Sequence, residues 1–183
     1  MSGKSTRNVF IVLFRGVGGA TQLPTAPLRK ALAEAGFGDV STYINSGNAM
    51  LSSTLTPKQT QAEIATIVAR EFGFEKDIML VERGDWKRIL KGNPFPDAVD
   101  RPTTLHVFIL AKKPEPAAID ALLARAVGGE RLVVRDKVLY LHVPESFSAS
   151  KLPPVMDRIL GTVSTARNWR TMEALGKMAE EIG

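Results

Sequence analysis

Arg15, Gly16, Asn45, Ser46 and Asn48 stand at two polar breaks early in the chain, and Lys151, Arg167 and Asn168 at two late ones. These residue types suit an anion. Arginine offers a planar five-donor fork and lysine a compact charge, asparagine and serine are short neutral donors, and glycine lets backbone approach a ligand closely. The chemistry they suggest is binding of an anionic, phosphate-bearing small ligand. An enzyme acting on such a ligand by electrostatic positioning is the alternative, because no activated nucleophile is visible. A plainer account covers the same residues. Asn45-Ser46-Gly47-Asn48 is what a hairpin turn needs, with Gly47 supplying positive φ and Asn45 bonding its own backbone. Asn168 reads equally as a helix cap, and Lys151 as a solvated residue of a first turn.

Composition narrows the chemistry. The 183 residues contain no cysteine, which removes disulfides, thiolate metal sites and a cysteine nucleophile. No P-loop, dinucleotide fingerprint, HExxH or GxSxG occurs, and Gly16-Val17-Gly18-Gly19 is too loose to count as a phosphate fingerprint. No clustering of histidines and carboxylates suggests a metal, and no cofactor is expected. The net charge of +5, from 24 basic and 19 acidic residues, permits an anionic partner without demanding one. A nucleic-acid-binding module is therefore a further alternative, weakened by the lack of an exposed aromatic motif. The longest apolar run, Val9 to Phe14, is far shorter than the roughly 20 residues that span a bilayer. No membrane association and a cytoplasmic location are expected. Oligomeric state is left open.

The elements that must position these residues follow from periodicity and caps. Asn8 to Phe14 reads as a central strand, apolar on both faces. After a glycine-rich loop, Thr25 reads as the cap of a helix with Leu28, Leu32 and Ala35 on its buried face and Gly36 at its end. Val40 to Ile44 and Asn48 to Ser53 read as strands around the polar turn. Thr56-Pro57-Lys58-Gln59 is a capping box, opening a helix that Gly73 closes. Asp77 to Arg83 completes βαββαβ, and Asp85 should cap a short extra helix with Trp86. The same order then returns: strand 103–111, a helix opened by Pro114-Glu115-Pro116, and a hairpin about Asp136-Lys137. A helix capped by Ser150, strand 162–166 and a closing helix from Asn168 to Ile182 follow. The only two tryptophans, Trp86 and Trp169, occupy equivalent places in the halves.

The expected fold class is thus α+β: two ferredoxin-like (βαββαβ) plaits in tandem, each followed by an extra helix. The first subdomain should cover 8–92, a linker 93–102, and the second subdomain 103–183. A right-handed crossover makes the first and second strands of each plait parallel, with the third antiparallel between them. Arg15 to Thr21 should then lie beside Asn45-Ser46-Gly47-Asn48, at the edge where the first helix begins with free N–H groups. In the second plait, Ser150-Lys151 and Arg167-Asn168 should converge at the opposite edge. For both corners to make one site, with Arg15, Asn45, Ser46 and Asn48 on one wall and Lys151, Arg167 and Asn168 on the other, those opposite edges would have to meet.

The second sheet carries the only two histidines. If the aliphatic residues of its strands face the helices, His106, Phe108, Tyr140 and His142 share the other face. That face would be either an RNA-type platform or, as favoured here, a surface packed on the first sheet's outer face with Phe10, Val12 and Phe14.

Leu13-Phe14-Arg15-Gly16 followed by Gly18-Gly19, Leu23-Pro24, Leu28-Arg29, Gly36-Phe37 and Thr42 to Asn48 resembles the bacterial domain-of-unknown-function family 1697. So do the distant Ser150-Lys151-Leu152, Leu160-Gly161, Thr165, Arg167-Asn168-Trp169 and Thr171. The resemblance runs from about residue 8 to 178. It implies a pair of ferredoxin-like subdomains and no established activity. Ala20-Thr21-Gln22 stands where the family usually has a longer loop with basic or amide residues, and Arg170 where it usually has Asn.

Overall fold

The structure, a computed structural model, describes residues 7–45 and 47–183. Its strands are β1 (Asn8–Phe14), β2 (Gly38–Thr42), β3 (Asn48–Ser53), β4 (Ile78–Glu82), β5 (Leu105–Leu110), β6 (Arg131–Arg135), β7 (Val138–His142) and β8 (Ser164–Asn168). The helices are α1 (Thr25–Glu34), α2 (Pro57–Phe72), α3 (Arg83–Lys91), α4 (Pro116–Leu123), α5 (Pro153–Leu160) and α6 (Trp169–Glu180). The order is βαββαβ-α, twice. The sheets run β2-β3-β1-β4 and β6-β7-β5-β8, and every pairing in them is antiparallel. Strands β1 and β2 are therefore parallel to each other across β3, as are β5 and β6 across β7. The protein is two ferredoxin-like plaits in tandem, each followed by a helix.

Each sheet buries one face under its own two helices. In the first, Phe10, Val12 and Phe14 of β1 pack with Leu28 and Leu32 of α1 and Ile64, Ile67 and Val68 of α2. In the second, Phe108 and Leu110 of β5 pack with Leu122 of α4 and Met156 and Leu160 of α5. The expected face assignment of β1 and β5 is reversed. From Val9 on β1 is apolar at every position, and the one polar residue of β5, His106, is buried like its neighbours, so alternation does not say which set faces the helices. Ile11 and Leu13 on the other face of β1 are as fully buried as Phe10 and Val12.

Local chemistry explains the element ends. The Thr56 hydroxyl accepts from the Gln59 N–H at 3.3 Å and the Gln59 side chain accepts from the Thr56 N–H at 3.1 Å, the capping box expected for α2. Helix α1 starts one residue early. The Leu28 N–H bonds to the Pro24 carbonyl at 3.0 Å, so Pro24 takes the cap position and Thr25 enters the first turn. Asp85 likewise lies inside α3, paired with Arg88, because the helix follows β4 directly. Strand β2 ends at Thr42, and Ile44 turns with φ 45°.

The chain divides into two compact units, Met1–Arg88 with Leu175–Gly183, and Ile89–Ala174. This differs from a division into 8–92 and 103–183. The end of α6 groups with the first unit, where the Arg83 guanidinium donates to Ala179 O at 3.3 Å and Ile182 O at 2.5 Å. Residues 93–102 belong to the body of the second unit, with Phe95 and Ala98 buried in it.

Candidate functional site

In the first unit, four segments meet at one sheet edge: the loop after β1, the β2–β3 hairpin, the approach to α1 and the approach to β4. The Phe14 N–H donates to Gly47 O at 2.8 Å, and the Arg15 N–H to Asp77 O at 3.0 Å. Gly47 sits at φ 78°, and a Cβ there would lie 2.6 Å from Val17 Cγ2 and 2.9 Å from the Phe14 carbonyl oxygen. The polar turn and the glycine loop are therefore in direct contact, as the strand directions require. Thr21 folds that loop on itself by pairing with Gly18 through backbone and by donating its hydroxyl to Gly18 O at 3.2 Å.

The sequence-named residues at this edge have different parts. Arg15 is exposed at the strand end, and Gly16 adopts φ 62°. Asn48 is buried, and its amide donates to Tyr43 O at 3.2 Å, closing the hairpin from inside. Asn45 is exposed at the tip. Ser46 lies outside the described residues. Lys76 is the residue that motif reading missed. Its ammonium donates to Gly16 O, and to the Thr21 hydroxyl at 2.5 Å, and it lies 5.6 Å from the centre of the Phe74 ring. The signal was available: β4 runs antiparallel to β1, so the residues before β4 must arrive where β1 ends. Arg29 of α1 adds a second arginine, donating to the Thr42 hydroxyl at 2.6 Å. Helix α1 has no side-chain cap and no acidic residue in its first turn. Glu75 and Asp77, both exposed, flank Lys76 in the chain, so the edge is cationic in places and mixed as a whole.

The second unit treats its named residues differently. Asn168 Oδ1 accepts from the Thr171 N–H at 3.0 Å and so caps α6. Lys151 is exposed before α5, and the Ser150 hydroxyl oxygen accepts from the Leu152 N–H at 3.2 Å. Pro153 and Pro154 open α5, which removes two of the N–H donors that would face an anion there. Arg167 pairs with Val107 across β5–β8, whereas its neighbour Ala166 packs with α5 on the other face. Strand alternation thus sends Arg167 away from the helix that Lys151 leads into. The guanidinium Nη1 donates to Thr165 Oγ1 at 2.9 Å and to Ala166 O at 2.7 Å, and burial pulls its pKa down to about 10.

The aromatic platform is not assembled. Cross-strand partners share a face, and His106 pairs with Leu141 and Asn168, whereas Val107 pairs with Tyr140. His106 and Phe108 therefore face α4 and α5, while Tyr140 and His142 lie on the other side. The His106 ring stacks on Phe147, with centroids 3.6 Å apart and planes 17° from parallel. Its Nδ1 is buried with no hydrogen-bond partner among the described residues, and burial lowers its pKa to about 4. Among the described residues no group of three or more His, Cys, Asp or Glu could hold a metal ion. No helix there is long and apolar enough to cross a membrane.

The topology and the two polar edges define a tandem ferredoxin-like protein whose glycine loop and hairpin close one edge of the first plait. The chain belongs to a family of proteins of unknown function, DUF1697, whose pattern matches residues 8–140. That span covers the first edge and ends before Lys151, Arg167 and Asn168. Among solved structures, the conserved bacterial protein SP0830 from Streptococcus pneumoniae is similar in fold. Its TM-score is 0.73 at 21% identity, over 95% of this chain and 99% of that one. No curated protein matches the sequence.

Proposed function

We propose that this protein binds a compact, anionic, phosphate-bearing small ligand at the first edge, against Arg15, Gly16, Asn45 and Lys76. The observation that carries the reading is the Lys76 ammonium reaching, from a separate segment, the glycine loop that Arg15 begins. Lys76 reaches the loop from the approach to β4, and Arg15 leaves it at the end of β1. Glycine backbone at positive φ presents its polar groups without side-chain obstruction, and the start of α1 adds N–H groups with no side-chain cap. Asn48 supports the site from behind by holding the hairpin shut. The flanking Glu75 and Asp77 favour a small ligand over a polyanion, because a nucleic-acid backbone would have to cross them. Lys151, Arg167 and Asn168 are not needed for this reading.

A thermal-shift screen against phosphorylated metabolites, followed by calorimetry, tests it. A ligand at 100 times its Kd should stabilise the fold by about 2.7 kcal/mol. Lys76→Met and Arg15→Met should each weaken that ligand with the fold intact. A ligand that binds both variants as tightly as the parent would place binding elsewhere, and steeply salt-dependent binding to RNA would replace the small-ligand reading with a nucleic-acid one.

A further inference from the structure

Residues 89–97 form a strap held along β6 and β7 of the second unit. The buried Tyr140 hydroxyl donates to Ile89 O at 2.7 Å, and Arg135 donates to Gly92 O at 2.5 Å. At the far end, Arg131 joins three partners at once. Its Nη2 donates to Asp97 Oδ2 at 2.6 Å, and its Nη1 to Oδ1 at 3.4 Å. Nε and Nη2 approach His142 Nδ1 at 3.3 and 2.9 Å. The guanidinium carbon also lies 4.6 Å from the centre of the buried Phe95 ring, which is tilted against His142 at 6.2 Å. Arginine has no acceptor, so Nδ1 must be the unprotonated nitrogen, and the arrangement requires a neutral imidazole.

We propose that the Phe95–Asp97 end of this strap is an acid-released latch, closed by neutral His142 and opened when His142 takes a proton on Nδ1. The proton occupies the lone pair that Arg131 uses. It also sets two cations against each other over the Phe95 ring, with Asp97 left to serve both. The charged groups acting on His142 are Arg131 and Asp97 at the latch and Arg101 just beyond the strap; Tyr140, two residues back on the same face, is held by Ile89. Burial, Arg131 and Arg101 all favour the neutral ring, and Asp97 alone opposes them, so the His142 pKa lies below its usual value. The latch is therefore closed above pH 6.5 and loosens as the pH falls from there through the lowered pKa of His142. Asp97, whose carboxyl Arg131 holds below the usual range, stays charged throughout this window. The other histidine, His106, titrates near 4 and stays neutral.

Hydrogen exchange of the full chain at pH 7.5 and 5.5, corrected for intrinsic rates with an unstructured peptide, tests the latch. Protection of the peptide covering 93–101 should fall about two- to five-fold at the lower pH, the range expected for a charge contact at an exposed site. Peptides covering Leu105–Leu110 should not change. His142→Gln keeps an acceptor that does not titrate, so it should hold the strap at both pH values. His142→Phe keeps the ring against Phe95 but loses the acceptor, so it should be looser at both. Unchanged protection in the parent, or an equal pH-dependent loss in His142→Gln, would overturn the latch.

Discussion

Gly47→Ala puts the first edge under a quantitative test. The residue lies at φ 78°, where an L side chain costs roughly 1–2 kcal/mol. The added methyl would also meet Val17 Cγ2 at 2.6 Å, Phe14 O at 2.9 Å and Phe14 Cβ at 3.2 Å. Val17 is a short side chain on a loop and can turn aside. The Phe14 carbonyl is backbone at the buried end of β1 and shares a rigid peptide plane with the Arg15 N–H, so it can move only by distorting the Arg15–Asp77 hydrogen bond of 3.0 Å. Overpacking of this kind costs about 1–3 kcal/mol. Together the two effects amount to about 2–5 kcal/mol. For a chain of this size each kcal/mol lowers the melting midpoint by about 2–4 °C. Gly19→Ala is the matched control. Gly19 has φ 54° with nothing within 4 Å of its virtual Cβ, so it carries the conformational cost alone. Urea melts of the three proteins separate the terms, and Gly47→Ala should be the less stable variant by at least about 1 kcal/mol. Equal losses in the two variants would refute the claim that the turn is clamped against the end of β1, and with it the geometry of the candidate site.

Two further outcomes follow from buried rings. His106, neutral in the folded state with a pKa near 4, should contribute about 3 kcal/mol above pH 6.5 that is lost as the pH falls through 4. His106→Phe should therefore lose less stability than the parent between pH 7 and 4 in denaturant melts; parallel losses would mean the ring is solvated. Trp169, 4% exposed with its Nε1 unpartnered among the described residues, should cost about 3–5 kcal/mol on truncation to alanine. The phenylalanine variant should be milder, since it forfeits no hydrogen bond, and an unchanged melting midpoint in Trp169→Ala would show that the indole is not core.

What could be read in advance, and what could not, divides along physical lines. Element order was legible because period, caps and breakers are local: Thr56 and Gln59 announce α2, Gly73 and Gly161 close their helices at positive φ, and Asp136 turns its hairpin. The first edge was legible as well. Once βαββαβ is recognised, right-handed crossover leaves one place for the loop after β1 and the turn before β3, and the Phe14–Gly47 bond is found there. Lys76 followed from the same rule but carries no motif, since a lysine before a strand looks like any solvated lysine. The second edge shows where the rule stops. Topology brings the ends of β7 and β8 to one edge, but the direction of Arg167 depends on the face its strand position takes. Asn168 is consumed by a cap, and two prolines remove N–H groups from α5.

The faces of β1 and β5 mark the same limit. Their sequences dictate central strands buried on both sides, which the sheets contain. They do not dictate which side meets the helices, because β1 is apolar on both faces from Val9 on and the single polar residue of β5, His106, is itself buried on the helix side. Only cross-strand pairing decided that His106 lies under Phe147 and that His142 lies with Arg131 and Phe95. The segment 93–102 is the sharpest case. Its Asn93 and prolines, preceded by Gly92, read as a linker, since composition reports only local backbone preference. The anchors that make residues 89–97 a strap, Tyr140, Arg135 and Arg131, lie 43 to 51 residues away for the first two and 34 for the third. Sequence alone determined the two plaits, their order and one polar edge. Tertiary structure decided which side chains those edges and faces hold, because contacts between distant residues leave no local signature in the chain.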